Sequence, residues 1–244
     1  ALVAAALAAL CATSIVRAAE WVIEPGIGAR YEYNDNMFLS TQNKRGGYVA
    51  SVGPGLRASR NTEVSTLSMN AGAGYNYNSV TNPKSYSNWL LGGQGRYRTE
   101  LTTYSADVSL LRDNTLATEL LRTGIVQERV QRNYYGLSGG VSRTLTERWS
   151  VNGSLFGSAA RYDKTGSNGL SDYDSTGGQA GLLYSWSPQT TVSLTGGATR
   201  YRATTLGNED KQYSVNVSAS HTYSERLRFF AGVGTYHLNS HVEN

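Results

Sequence analysis

Cysteine is almost missing from this chain: the one example, Cys11, lies inside an apolar run at the start. No disulfide is available to the rest of the molecule, so a small cystine-stapled scaffold is excluded. Charge is thin as well. Charged residues make up 16% of 244, against about a quarter in ordinary soluble domains. The net charge of +4 comes without a run of Lys or Arg, which argues against a nucleic-acid footprint. Beyond the first residues no long hydrophobic stretch occurs, and the mean hydropathy is −0.39. A bundle of membrane helices is thereby excluded. Histidine appears three times, at His221, His237 and His241. Ser220 and Ser240 adjoin two of them, but neighbours on a strand point to opposite faces, so neither couple forms a nucleophile and base. No phosphate loop, zinc spacing or dinucleotide fingerprint is present. The chain is read as a non-enzyme that needs no cofactor and no metal.

What the chain does have is Gly (27), Tyr (17) and a persistent period of two. In Thr62–Asn78, TEVSTLSMNAGAGYNYN, residues Leu67, Met69, Ala71, Ala73, Tyr75 and Tyr77 share one phase. Ser68, Asn70, Gly72, Gly74 and Asn76 share the other. Strict alternation makes a strand with two unlike faces. Such segments recur at 21–33, 46–60, 62–77, 86–98, 101–112, 131–144, 148–162, 174–187, 190–203, 212–223 and 226–239. Short connectors (60–61, 99–100, 146–147, 187–188, 224–225) alternate with long polar ones (34–45, 78–85, 113–130, 163–173, 204–211). Short, long, short, long is the wiring of an up-and-down antiparallel transmembrane β-barrel, with tight turns in the periplasm and longer loops outside. The segments also exceed the roughly 9–11 tilted residues needed to cross a bilayer. Their polar phase is Ser, Asn, Gly and Thr rather than Lys and Glu, which suits a wet, crowded interior better than open solvent. Aromatics such as Trp21, Tyr31, Tyr48, Trp89, Tyr97 and Trp149 fall near segment ends, where interfacial girdles belong. The expected fold is all-β, with the apolar face toward lipid in a bacterial outer membrane.

Residues 1–19 read as the apolar core and small-residue cleavage site of a secretory signal, ending Val16-Arg17-Ala18-Ala19 and lacking its basic n-region. Residues 20–244 are then the N-terminal portion of the barrel. About eleven strands is an odd count where single-chain bacterial barrels are even. The last residues, HLNSHVEN, also lack the terminal aromatic that the barrel-assembly machinery commonly receives. Both features set the expectation that the C-terminal part is missing.

EWVIEPGIGARYEYNDNMFLS followed by GGYVASVGPGLRASR resembles the opening of the proteobacterial outer-membrane β-barrel proteins associated with exosortase (PEP-CTERM) and exopolysaccharide loci. The matching residues are Asp35-Asn36-Met37-Phe38-Leu39 and Gly53-Pro54-Gly55. Thr123-Gly124-Ile125-Val126 and Leu145-Thr146-Glu147-Arg148 look like the same family. The resemblance implies an outer-membrane location and an envelope-polymer neighbourhood, not a chemistry.

Arg57, Arg96, Arg98 and Arg228 occupy the polar phase within a few residues of a short turn. A basic ring at that mouth would concentrate anionic solutes or an anionic polysaccharide. The competing reading pairs these arginines with Glu24, Asp107 or the turn glutamates Glu100, Glu147 and Glu225. Arg143 shares phase with Leu137 and Val141 and is read as snorkelling to headgroups. Arg112, Arg132, Arg161, Arg200 and Arg202, with others near the long loops, are read as meeting lipopolysaccharide phosphates. In loop 34–45, Asp35, Asn36 and Phe38 are loop candidates. Its oxygen donors could hold a hard cation, though Asn and Asp also favour turns for local reasons. Loop 113–130 is too apolar to lie bare in water and is expected to pack at or inside the rim. The functional expectation is a passive conduit or scaffold for an exported envelope polymer or small solute. The alternative is a structural or adhesin-like barrel with a plugged lumen.

Overall fold

The computed structural model describes residues 21–37, 44–80, 85–114, 130–163, 165, 170–204 and 207–242. The expected signal segment, Phe38 and most of loop 113–130 lie outside them. Eleven strands occupy nearly the whole described chain: β1 (Trp21–Asn34), β2 (Gly47–Asn61), β3 (Ser65–Asn78), β4 (Ser85–Arg98), β5 (Thr102–Asn114), β6 (Gln131–Thr144), β7 (Trp149–Tyr162), β8 (Tyr173–Ser187), β9 (Thr190–Ala203), β10 (Asn208–Ser224) and β11 (Leu227–Val242). They follow one another in sequence order in a single sheet, with β1 and β11 at the ends of that order. Two compact units divide the chain, residues 1–93 with β1–β3 and most of β4, and residues 94–244 with the remainder.

Unit by unit, cross-strand register joins like faces. In the first unit Ile23 lies opposite Ala58 and Ala58 opposite Met69. One position along, Glu24 faces Arg57 and Arg57 faces Asn70. The β2–β3 ladder is interrupted at Gly53 and Pro54, resuming at Gly55. Proline has no N–H to give there. In the second unit one row runs Arg143, Val151, Leu182, Leu194, Val217, Val233 across β6 to β11. The row beside it runs Ser142, Asn152, Gly181, Thr195, Asn216, Gly234. Arg143 thus stands at the end of an apolar row.

A protein folded in water would hide the first kind of row. This one does not. Buried hydrophobic residues among those described are Val130, Ala160 and Ala203. Leu155, Ile27, Leu137 and Val217 are all exposed, along with most large side chains of that face. Contiguous apolar surface on this scale is not tolerated by a water-soluble monomer. Against hydrocarbon it costs nothing, and the backbone polar groups are satisfied by the ladders between strands.

The short turns share a device. Thr62, Thr99, Thr146 and Ser187 each accept, through the side-chain hydroxyl, the amide of the residue three positions on (3.1 Å or less in every case). These are Ser65, Thr102, Trp149 and Thr190, at or beside the start of the next strand. The hydroxyl satisfies an amide that the ladder cannot reach. The sequence around them repeats accordingly: TEVS, TELT, TERW and SPQT, with SERL at the fifth turn.

The third strand starts at Ser65 rather than 62 and the last ends at Val242 rather than 239; the largest departure from expectation is at one long connector. The segment 208–211 was expected to be loop, because Asn208-Glu209-Asp210-Lys211 is fully polar. It is the first part of β10, since Glu209 lies opposite Arg202 and Lys211 opposite Arg200. Charge was read as loop where it is cross-strand pairing. Gly207, at φ 67°, makes the turn that allows this.

Candidate functional site

Of the four short-turn arginines, register sets Arg57 opposite Glu24 and Asn70, and Arg228 opposite Thr222. Arg57 lies opposite Glu24, 4.0 Å away, with both side chains well exposed. For this residue the pairing reading holds. Arg228 lies opposite Thr222 and its Nε donates to that hydroxyl at 3.3 Å. Arg96 and Arg98, two residues apart on β4, have no ion pair among the described residues. Asp107, an expected partner, instead accepts from Ser138 Oγ at 3.3 Å. Among the described residues, Arg96 and Arg98 therefore carry charge without a carboxylate partner, beside a short turn. Arg228 does so on β11, with β5 to β10 between them in the strand order.

The described part of the 34–45 loop makes a local turn. Asn36 N–H donates to Asn34 Oδ1 at 2.8 Å and Met37 N–H to Arg45 O at 3.0 Å. Asp35 is exposed in that turn, and Phe38 is outside the described residues. No cluster of His, Cys, Asp and Glu able to hold a metal occurs among the described residues.

The long-loop ends of the second unit hold a different population. Arg132 donates twice to Asp113 (3.1 and 2.7 Å), with its guanidinium over the Tyr134 ring. The two charged side chains are only 10% and 16% exposed. Arg112 reaches Asp163 at 2.8 Å, Arg161 reaches Asp174, and Glu209 bridges Arg200 and Lys211 at 2.7 and 2.8 Å. Sequence reading had offered these arginines to external phosphates. In the structure carboxylates on the neighbouring strand hold Arg132, Arg161 and Arg200, and Asp163, just past the end of β7, holds Arg112.

Sequence reading missed the aromatics of the polar face. Phe156 and Tyr134 flank one concavity with Asp107, Ser109, Ser138 and Ser158. Phe156 lies across Gly177 of β8, where a Cβ would come within 2.6 Å of its ring. That ring therefore serves to cover bare backbone. A larger concavity, about 930 Å³, lies over β9 to β11 and carries Phe230 and Tyr236. The signal was available: both residues share the phase of Arg228. In RFFAGVGTYHL, however, both phases carry apolar residues, and the register against β10, with Ser218 opposite Gly232, fixes which is which.

Alternating faces, neighbour-to-neighbour strands and an exposed apolar surface define an outer-membrane β-barrel protein. Residues 16–162 match the family described as Putative beta-barrel porin 2, and the chain belongs to that family. No curated protein matches the chain. Among solved structures it is similar to an outer membrane channel of Pseudomonas putida F1, at 15% identity and a TM-score of 0.40, covering 93% of this chain and 97% of that one. It is similar also to the β domain of the Bordetella autotransporter BrkA (15% identity, TM-score 0.36, 90% and 94% covered). A third is the Pseudomonas putida toluene transporter TodX (8% identity, TM-score 0.32, 93% and 80% covered).

Proposed function

We propose that the protein is a passive conduit across the outer membrane for an exported envelope polymer or small solute, favouring anions at its short-turn mouth. The observation that carries this reading is the polar face, with Arg96, Arg98 and Arg228 having no carboxylate partner among the described residues. Guanidinium groups beside a low-dielectric wall raise the local concentration of anions without a dedicated binding pocket. The resemblance to barrels of exopolysaccharide loci supports a polymer as cargo. The partners follow from the same reading: lipid against the apolar rows, lipopolysaccharide beside the long loops, and the assembly machinery during insertion.

The test is conductance. The full-length protein, purified in detergent and inserted in a planar bilayer, is expected to give a steady current with an anion-favouring reversal potential. Neutralising Arg96, Arg98 and Arg228 together (each Arg→Gln) should move that potential toward the cation side. Arg57→Gln alone should move it least, because Glu24 already offsets that charge. A folded, heat-modifiable protein that passes no current would overturn the conduit.

A further inference from the structure

The concavity over β9–β11 has a composition that the basic mouth does not explain. Its floor is built from polar-phase rows: Ser220 opposite Phe230, Ser218 opposite Gly232, Asn216 opposite Gly234 and Ser214 opposite Tyr236. On the other side the hydroxyls continue, with Thr191 Oγ1 2.8 Å from Ser220 Oγ and Ser193 Oγ 2.7 Å from Ser218 Oγ. Gly232 and Gly234 place no side chain between the two rings. Phe230 and Tyr236 are 86% and 71% exposed, and they stand six positions apart on one strand, roughly 20 Å. Unlike Phe156, Phe230 faces a serine rather than a glycine, so its ring is not used to cover backbone. Among the described residues, no charged one lines the trough.

A ligand for this surface needs flat apolar faces for the two rings and a rim of groups that both donate and accept, to match hydroxyls and an amide. It carries no charge, since nothing here would compensate one. A peptide fits poorly, because its charged side chains and termini would be left without partners. We infer that this trough is a binding track for a neutral saccharide chain, with Phe230 and Tyr236 as stacking platforms and the Ser/Thr/Asn rows as its hydroxyl partners. The inference rests on the conduit reading and adds to it a substrate class. Loose contacts repeated along a face are what a conducting site requires, since a tight one would not release its cargo.

Binding and conduction are measured separately on the full-length protein. In detergent, titration calorimetry uses maltohexaose as the neutral probe, an oligogalacturonate of equal length as the charged one, and a polyethylene glycol of similar size as steric control. Saturable binding of maltohexaose is expected, weakened about tenfold by Phe230→Ala or Tyr236→Ala and largely retained in Phe230→Trp. In bilayers the same sugar should interrupt the current in the parent protein and do so more briefly in the alanine variants. Heat-modifiability checks that each variant is folded. Binding without any current would sink the conduit and leave the track standing. Current without saturable maltohexaose binding, or binding that the alanine variants leave unchanged, overturns the track. Equal binding of the glycol overturns it too.

Discussion

Arginine carries three different duties in this protein, and its surroundings decide which. Arg132 and Asp113 form a bidentate pair withdrawn from solvent on the polar face. Removing one member of such a pair strands the other, at a cost of about 3 kcal/mol. Arg57 and Glu24 lie opposite each other but exposed and 4.0 Å apart, so their link is worth less than about 1 kcal/mol. Arg132→Ala should therefore lower the urea midpoint of refolding in lipid vesicles well below that of Arg57→Ala. Equal shifts would show that the Arg132 pair is as wet as the other. Arg96 and Arg98 have the third duty, an uncompensated charge whose effect is on ions rather than on the fold. Their neutralisation should leave the urea midpoint nearly unmoved while changing selectivity.

At the scale of the element, the strands were legible because a lipid-facing strand must alternate without relief over its whole length. Leu67 to Tyr77 shows this in one line of sequence, and the turns stood out as polar pairs between such runs. The failures have one physical source. Which residue of one strand meets which residue of the next is set by register, and a single sequence does not carry it. Hence Asp113, Asp174 and Glu209 could not be matched to Arg132, Arg161 and Arg200 in advance. Hence also Asn208–Lys211 passed for loop, and Phe230 went unassigned in a strand with two apolar phases. Loop 34–45 was legible in part, since Asn34 closes an Asx turn for the local reason expected of it. The short turns permit a direct check. Thr62→Val, Thr99→Val and Thr146→Val each delete a hydroxyl that accepts the amide three residues on. Each should cost about 1 kcal/mol, and their sum should be nearly additive because the turns are separate. Vesicle refolding midpoints would read this, and an unchanged triple variant would show that water replaces the hydroxyls.

For the whole molecule, the solvent is part of the structure. With Val130, Ala160 and Ala203 as the buried hydrophobic residues among those described, almost no interior exists to hold the fold in water. The apolar rows must be matched by hydrocarbon, so thermal stability should depend on the bilayer. In phosphatidylcholine vesicles of increasing acyl length, the melting temperature should peak where hydrocarbon thickness meets the apolar band and fall on either side. A melting temperature indifferent to chain length would mean that the rows are covered by protein instead. The order β1 through β11 has a consequence for assembly. Each strand needs only the edge left by its neighbour in sequence, so the sheet can grow like a zip, one strand at a time from either end. A fault in one hairpin should then halt growth at that tooth and leave the completed part correctly meshed.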